Sequence, residues 1–176
     1  MQLREKHATS REFYDAAQAV MSFAHDNDVK IIINDRVDIV LALKAHGVHL
    51  GQDDLAPEHA RRLLGREAVI GFSTHSIDQA CAAVSMPIDY VAYGPIFTTT
   101  TKENPDAVVG TEGLRRIRDS IGNFPLVAIG GIGEKHLRSV IDAGADSAAI
   151  ISEILSNPTD ISGRYENLNL TTSQLA

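Results

Sequence analysis

Seven short apolar or β-branched runs recur along residues 1–151, with amphipathic helical patterns filling the gaps between them. The runs are Met1–Leu3, Lys30–Ile33, Gly47–Leu50, Val69–Phe72, Tyr90–Tyr93, Leu126–Ile129 and Ala148–Ile151. Strand-length runs that alternate with helix-length patterns read as successive βα units carrying a parallel sheet. The repeat is about 22 residues per unit, a compact version of what a (β/α)8 barrel needs. A closed barrel of that kind has eight strands, whereas this chain offers seven and opens directly on one. The expected fold is therefore α/β with seven parallel strands, and either a first βα unit of a (β/α)8 barrel is missing or the sheet is open. Two sheet edges, Met1–Leu3 and Ala148–Ile151, are then expected to lack neighbours. A start within a longer reading frame, or a fragment, is the expectation that follows.

The helical segments carry their own punctuation. Thr9-Ser10-Arg11-Glu12 has the form of a capping box, and Phe13, Ala17, Val20, Met21 and Ala24 follow on one apolar face. Val37–Ala45 runs out at Gly47 and Lys135–Ala143 at Gly144, where a glycine is expected to supply a left-handed cap. Residues 1–155 are expected to form the barrel. The tail, 156–176, reads as a weak helix or disordered, with residues 167–176 polar and frayed.

Composition narrows the class of partner. With 44% hydrophobic and 22% charged residues, the 176-residue chain can bury a core and is not a disordered tail. Its net charge of −7 argues against nucleic acid as the main partner, since phosphate-backbone binding requires a basic face. Apolar runs of three or four residues do not span a membrane, and Met1–Lys6 lacks the apolar stretch of a signal peptide. Cys81 is the single cysteine, which excludes an internal disulfide; its helical setting predicts a buried, inert thiol. The cytoplasm is the expected compartment, small anionic molecules stay possible as ligands because a few local cations can overrule the global sign, and a homo-oligomer is left open.

Polar residues gather just after the strands, the end at which α/β barrels build their active sites. Gln2, Arg4 and Lys6 alternate at the first strand; Asn34-Asp35-Arg36 follows the second and Gly51-Gln52-Asp53-Asp54 the third. Ser73-Thr74-His75 follows the fourth, and Gly94 to Lys102, with four threonines, the fifth. Gly130-Gly131 follows the sixth, and Ile151-Ser152 closes the seventh. Asp35 and Asp54 fit helix or loop caps as well as a Mg²⁺ site, and Arg4 with Lys6 fits a solvated charge pair as well as an anion site. Threonine hydroxyls with a lysine, and a glycine pair followed by Ile151-Ser152, fit a phosphate cradle as well as ordinary turns. Of the seven histidines, His7, His25, His46, His59 and His136 read as surface residues. Only His49 and His75 lie near the polar ends.

In register, these segments carry a resemblance. Gln2-Leu3-Arg4-Glu5-Lys6, Ile33-Asn34-Asp35, His49-Leu50-Gly51-Gln52-Asp53-Asp54, Ser73-Thr74-His75, Gly94-Pro95-Ile96-Phe97 with Thr99, Thr101 and Lys102, Ala128-Ile129-Gly130-Gly131-Ile132, and Ile151-Ser152 resemble the thiamine phosphate synthase family. The likeness extends from residue 1 to about 155.

The resemblance implies a TIM-type (β/α)8 barrel lacking the first βα unit, with seven parallel strands, that joins a hydroxymethylpyrimidine diphosphate to a thiazole phosphate and releases pyrophosphate. It implies that Gln2, Arg4, Lys6, Asn34, Ser73 and Lys102 hold the pyrimidine diphosphate, with Lys102, Lys6 and Arg4 as the catalytic cations. It assigns Asp35 and Asp54 to Mg²⁺, the implied cofactor. Thr99, Thr100, Thr101, Gly131, Ile151 and Ser152 would take the thiazole phosphate. A related thiazole tautomerase, resting on His75, is the nearest alternative, and an inactive barrel that binds a phosphate ligand is another.

Overall fold

The structure is a computed structural model that describes residues 1–99, 101 and 106–173. The chain divides into two compact units, Met1–Ser73 with Ser85–Asp89, and Thr74–Val84 with the chain from Tyr90 onward.

The first unit begins with β1 (Gln2–Leu3) and α1 (Ser10–Asp26), then β2 (Ile32–Asn34) and α2 (Val37–Leu43). It closes with β3 (Gly47–Leu50), α3 (Pro57–Leu64) and β4 (Val69–Thr74). Its strands pair in parallel in sequence order, with Gln2 against Ile32, Asn34 against His49, and Leu50 against Phe72. All four residues of β3 are buried, as expected of a parallel strand covered on both faces. Ile31, Ile33, Val48, Leu50 and Ile70 fill the interior. Burying each such side chain is worth about 1.5–3 kcal/mol.

The Thr9 capping box forms with both halves present: Glu12 N–H donates to Thr9 Oγ1, and Thr9 N–H donates to Glu12 Oε2. Phe13, Ala17 and Ala24 then bury one face of α1. The expected glycine cap of α2 falls elsewhere. Lys44, at φ 54°, takes the left-handed position, and Gly47 lies inside β3. The need for glycine there is steric, because a Cβ on Gly47 would stand 2.0 Å from the Val69 carbonyl oxygen.

The second unit contains α4 (Ile77–Ala83), β5 (Tyr90–Tyr93), α5 (Gly110–Ile121), β6 (Leu126–Ala128) and α6 (Glu134–Ile141). It continues with β7 (Ser147–Ala148), α7 (Ser152–Leu155) and α8 (Ile161–Ser173). β5, β6 and β7 pair in parallel in that order. Ile96, Leu114, Ile117, Leu126, Leu137 and Val140 form its interior. The last strand is shorter than its apolar run suggests, ending at Ala148. The tail expected to fray from residue 167 instead continues as helix to Ser173, with Leu168 buried.

Cys81 is exposed, contrary to the expectation of a buried thiol. The buried face of α4 runs through Ala80 and Ala83. One residue past Ala80 is a rotation of about 100°, which turns Cys81 off that face. His136 also departs from its surface reading: it is half-buried and stacks on Phe97, with ring centroids 4.0 Å apart. No helix among the described residues is long and apolar enough to cross a membrane.

Candidate active site

In the first unit the strand ends assemble a cluster of charges. Lys6 Nζ donates to Asp35 Oδ2, joining the segment after β1 to the residue after β2. Asp35 occupies the left-handed region at φ 63°, a conformation that aspartate tolerates better than most residues. Its backbone N–H donates to the His49 carbonyl at 2.8 Å, so the strained turn is anchored on β3. Asp54 reaches back to its own loop, where the Gly51 N–H donates to Asp54 Oδ2 at 2.7 Å.

The two carboxylates are neighbours. Burial, followed by a shared hydrogen bond with Asp35 and that residue's charge, pushes the Asp54 carboxyl above its ordinary range. The Gly51 amide and Lys6 pull the other way. Two acids held this close, with one reluctant to ionise, suit a divalent cation. Mg²⁺ is commonly bound through one or two carboxylates, with waters and substrate phosphates completing its shell. The donor set therefore fits the metal. No group of three or more His, Cys, Asp or Glu side chains able to hold a metal occurs among the described residues.

Ser73 sits beside a buried histidine. His49, 7% exposed, places Nε2 2.8 Å from Ser73 Oγ, and Gln52 Nε2 donates to the Ser73 carbonyl at 2.6 Å. Burial lowers the His49 pKa to about 4 against the raising charge of Asp35, so the ring is neutral at pH 7. Asn34 is buried on β2 opposite His49, whereas Gln2, Arg4 and Lys6 are exposed.

The second unit gathers hydroxyls and glycine backbone. Thr101 Oγ1 lies 3.4 Å from Ser152 Oγ, and the Thr101 N–H donates to Thr99 Oγ1 at 3.3 Å. Gly131, at φ +64°, lies so close to the loop after β5 that a Cβ would stand 2.4 Å from the Thr98 carbonyl oxygen. Thr99, Thr101, Gly131 and Ser152 are thus brought together, with Ile151 at the N-cap of α7. Thr100 and Lys102 lie outside the described residues.

His75 is tied down on both sides. Its Nδ1 lies 2.6 Å from the Gly94 carbonyl, and its Nε2 3.4 Å from Asp106 Oδ2. Sequence reasoning placed His49 and His75 near the polar ends without finding their partners. Ser73 lies 24 residues from His49, and Gly94 lies 19 from His75, beyond the reach of local pattern.

Parallel βα units with charged and hydroxyl-bearing residues at the strand ends define an α/β-barrel-type enzyme. The family model described as thiamine monophosphate synthase matches residues 1–154, and the chain belongs to that family. It is 47% identical over 158 residues to the thiamine-phosphate synthase of Koribacter versatilis, covering 90% of this chain and 74% of that one. With the Syntrophomonas wolfei thiamine-phosphate synthase the identity is 44% over 168 residues, covering 96% and 79%. Among solved structures, the thiamine phosphate pyrophosphorylase of Pyrococcus furiosus matches with a TM-score of 0.88 at 33% identity, covering 99% of this chain and 82% of that one. The parallel α/β architecture, with seven strands among the described residues, is thus that of a TIM-type fold.

Proposed function

We propose that this chain is a transferase that joins a hydroxymethylpyrimidine diphosphate to a thiazole phosphate, giving thiamine phosphate and pyrophosphate. Family membership supports the reaction, and one observation carries the site: the cluster of Lys6, Asp35 and Asp54 at adjacent strand ends. The C–O bond to the diphosphate breaks, its electron pair leaves with pyrophosphate, and the thiazole nitrogen supplies the pair for the new C–N bond. Such a substitution demands leaving-group charge stabilisation and positioning more than a nucleophilic side chain.

Lys6 and Arg4 bring positive charge to the departing diphosphate, and Gln2, Asn34 and Ser73 orient the pyrimidine end. Lys102 adds a further cation on the strength of the family resemblance. Asp35 and Asp54 would hold Mg²⁺, which when bound supplies positive charge to the diphosphate oxygens. The hydroxyls of Thr99, Thr100, Thr101 and Ser152, with backbone amides at Gly131, Ile151 and Ser152, bind the thiazole phosphate.

The test supplies the purified chain with both phosphorylated substrates, with and without Mg²⁺, and follows thiamine phosphate by mass spectrometry. Product that requires Mg²⁺ is expected. Absence of product under all conditions, from protein shown to be folded, would remove the assignment.

A further inference from the structure

We infer that His49 is a positioning residue for this reaction, acting through Ser73 by fixing how its hydroxyl is presented to the pyrimidine substrate. The inference rests on the reading of Ser73 as a ligand of that substrate.

Three observations bear on it. First, His49 is an ionisable side chain in the middle of a wholly buried strand, between Val48 and Leu50, both completely buried. A polar ring in such a place is costly unless it is hydrogen-bonded, and Nε2 finds Ser73 Oγ at 2.8 Å. Second, the Ser73 main chain has a separate anchor, because Gln52 Nε2 donates to its carbonyl at 2.6 Å. What His49 adds is control of the hydroxyl, namely its rotamer and the direction of its one hydrogen. A serine hydroxyl has one donor and two acceptor positions. Committing one of them to the imidazole leaves the others in fixed directions for a ligand. Third, the His49 carbonyl accepts the Asp35 N–H at 2.8 Å, in the turn where Asp35 is held left-handed. One residue therefore sets the backbone of a candidate metal ligand and the side chain of a candidate substrate ligand.

The experiment compares the full chain with His49→Leu, His49→Gln, Ser73→Ala and the His49→Leu/Ser73→Ala double variant, each checked for folding by circular dichroism. Glutamine carries its amide nitrogen where the imidazole has Nε2, so it can renew the bond to Ser73, whereas leucine cannot. Leucine is expected to lower kcat by ~10–100-fold with little change in KM for the thiazole phosphate. Glutamine should recover all but a few-fold of that loss. The double variant should be no slower than the worse single, since both remove the same interaction. Losses that multiply, or a folded glutamine variant as slow as leucine, would overturn the inference by showing a packing role only.

The ¹⁵N spectrum at pH 7 provides a readout that does not need turnover. Ser73→Ala is expected to move the His49 Nε2 resonance, and an unmoved resonance overturns the inference whatever the activity. A folded wild type that makes no thiamine phosphate would remove the proposed reaction, and the inferred role with it, while the spectrum still reports on the contact.

Discussion

Arg118 donates from Nη2 to Asp146 Oδ2 across 2.6 Å, and the same oxygen accepts the Leu126 backbone N–H at 2.7 Å. Arg118 also donates to the carbonyls of Gly144 and Phe124, so one guanidinium closes the turn after α5, the turn before β7 and the start of β6. Arg61 and Asp89 build the same clamp in the other unit. They are again 28 residues apart, 2.7 Å between Nη2 and Oδ2, with Ile70 N–H on the aspartate and the carbonyls of Ala68 and Pro87 on the arginine.

Removing either arginine takes a donor from several carbonyls and leaves the aspartate with its backbone N–H but without its cation. Arg118→Ala and Arg61→Ala are each expected to destabilise the chain by about 2–4 kcal/mol, judged from the cost of unsatisfied, partly buried acceptors. Lysine should recover little, because it lacks the planar fork that reaches several acceptors at once. Urea unfolding midpoints check this. A loss under half a kcal/mol for both alanine variants would reduce the clamps to ordinary surface pairs.

The clamps show where reading the sequence stops. Features set by neighbouring residues were legible: the Thr9–Glu12 capping box, the apolar face of α1 and most strand positions all follow from spacing within a few residues. The candidate site was legible as residue types at strand ends, and its family resemblance placed those residues in register. Its wiring was not. Lys6 and Asp35 meet across 29 residues, and Thr101 and Ser152 across 51, distances at which only the fold sets the pairing. Gly47 was misread for a related reason. Its position suggested a cap, but the demand for glycine comes from Val69 on the neighbouring strand.

His49 makes stability depend on pH in a defined direction. Its ring titrates at about 4 in the folded chain against 6.5 as a reference, so between those values the unfolded state binds the proton and the folded state does not. Stability is then full above pH 6.5 and falls as the pH drops toward 4, by about 3 kcal/mol from this residue alone. His49→Gln should remove that share of the slope. Denaturant titrations at pH 7 and pH 4.5 measure it, and identical slopes in wild type and variant would contradict the assignment.

Asp54 pits binding against stability. Its folded carboxyl is raised, chiefly by burial and then by the neighbouring Asp35, so its contribution to stability is lost as the pH climbs through that raised value. Asp54→Asn should leave the metal-free melting temperature unchanged or slightly higher, while turnover falls by ~10²-fold or more as preorganised charge at the diphosphate is lost. The raised carboxyl also means that protons compete with Mg²⁺ from a higher pH than at an ordinary aspartate. The Mg²⁺ concentration for half-maximal rate should therefore rise as the pH is lowered. A variant that melts lower yet turns over normally would reverse both roles.

Gly131 tests the second half of the site. Its φ of +64° lies where an L side chain is strained, and a Cβ would stand 2.4 Å from the Thr98 oxygen and 2.8 Å from the Phe97 carbonyl. Gly131→Ala must therefore displace the Phe97–Thr98 segment that leads into Thr99 and Thr101, in addition to about 1–2 kcal/mol for the left-handed backbone. A misplacement of this size is expected to raise KM for the thiazole phosphate by ~10-fold or more, with KM for the pyrimidine diphosphate little changed. Steady-state kinetics with each substrate varied in turn separates the two. Equal increases in both KM values would show that the substitution disturbs more than the thiazole phosphate cradle and would withdraw Gly131 from that role.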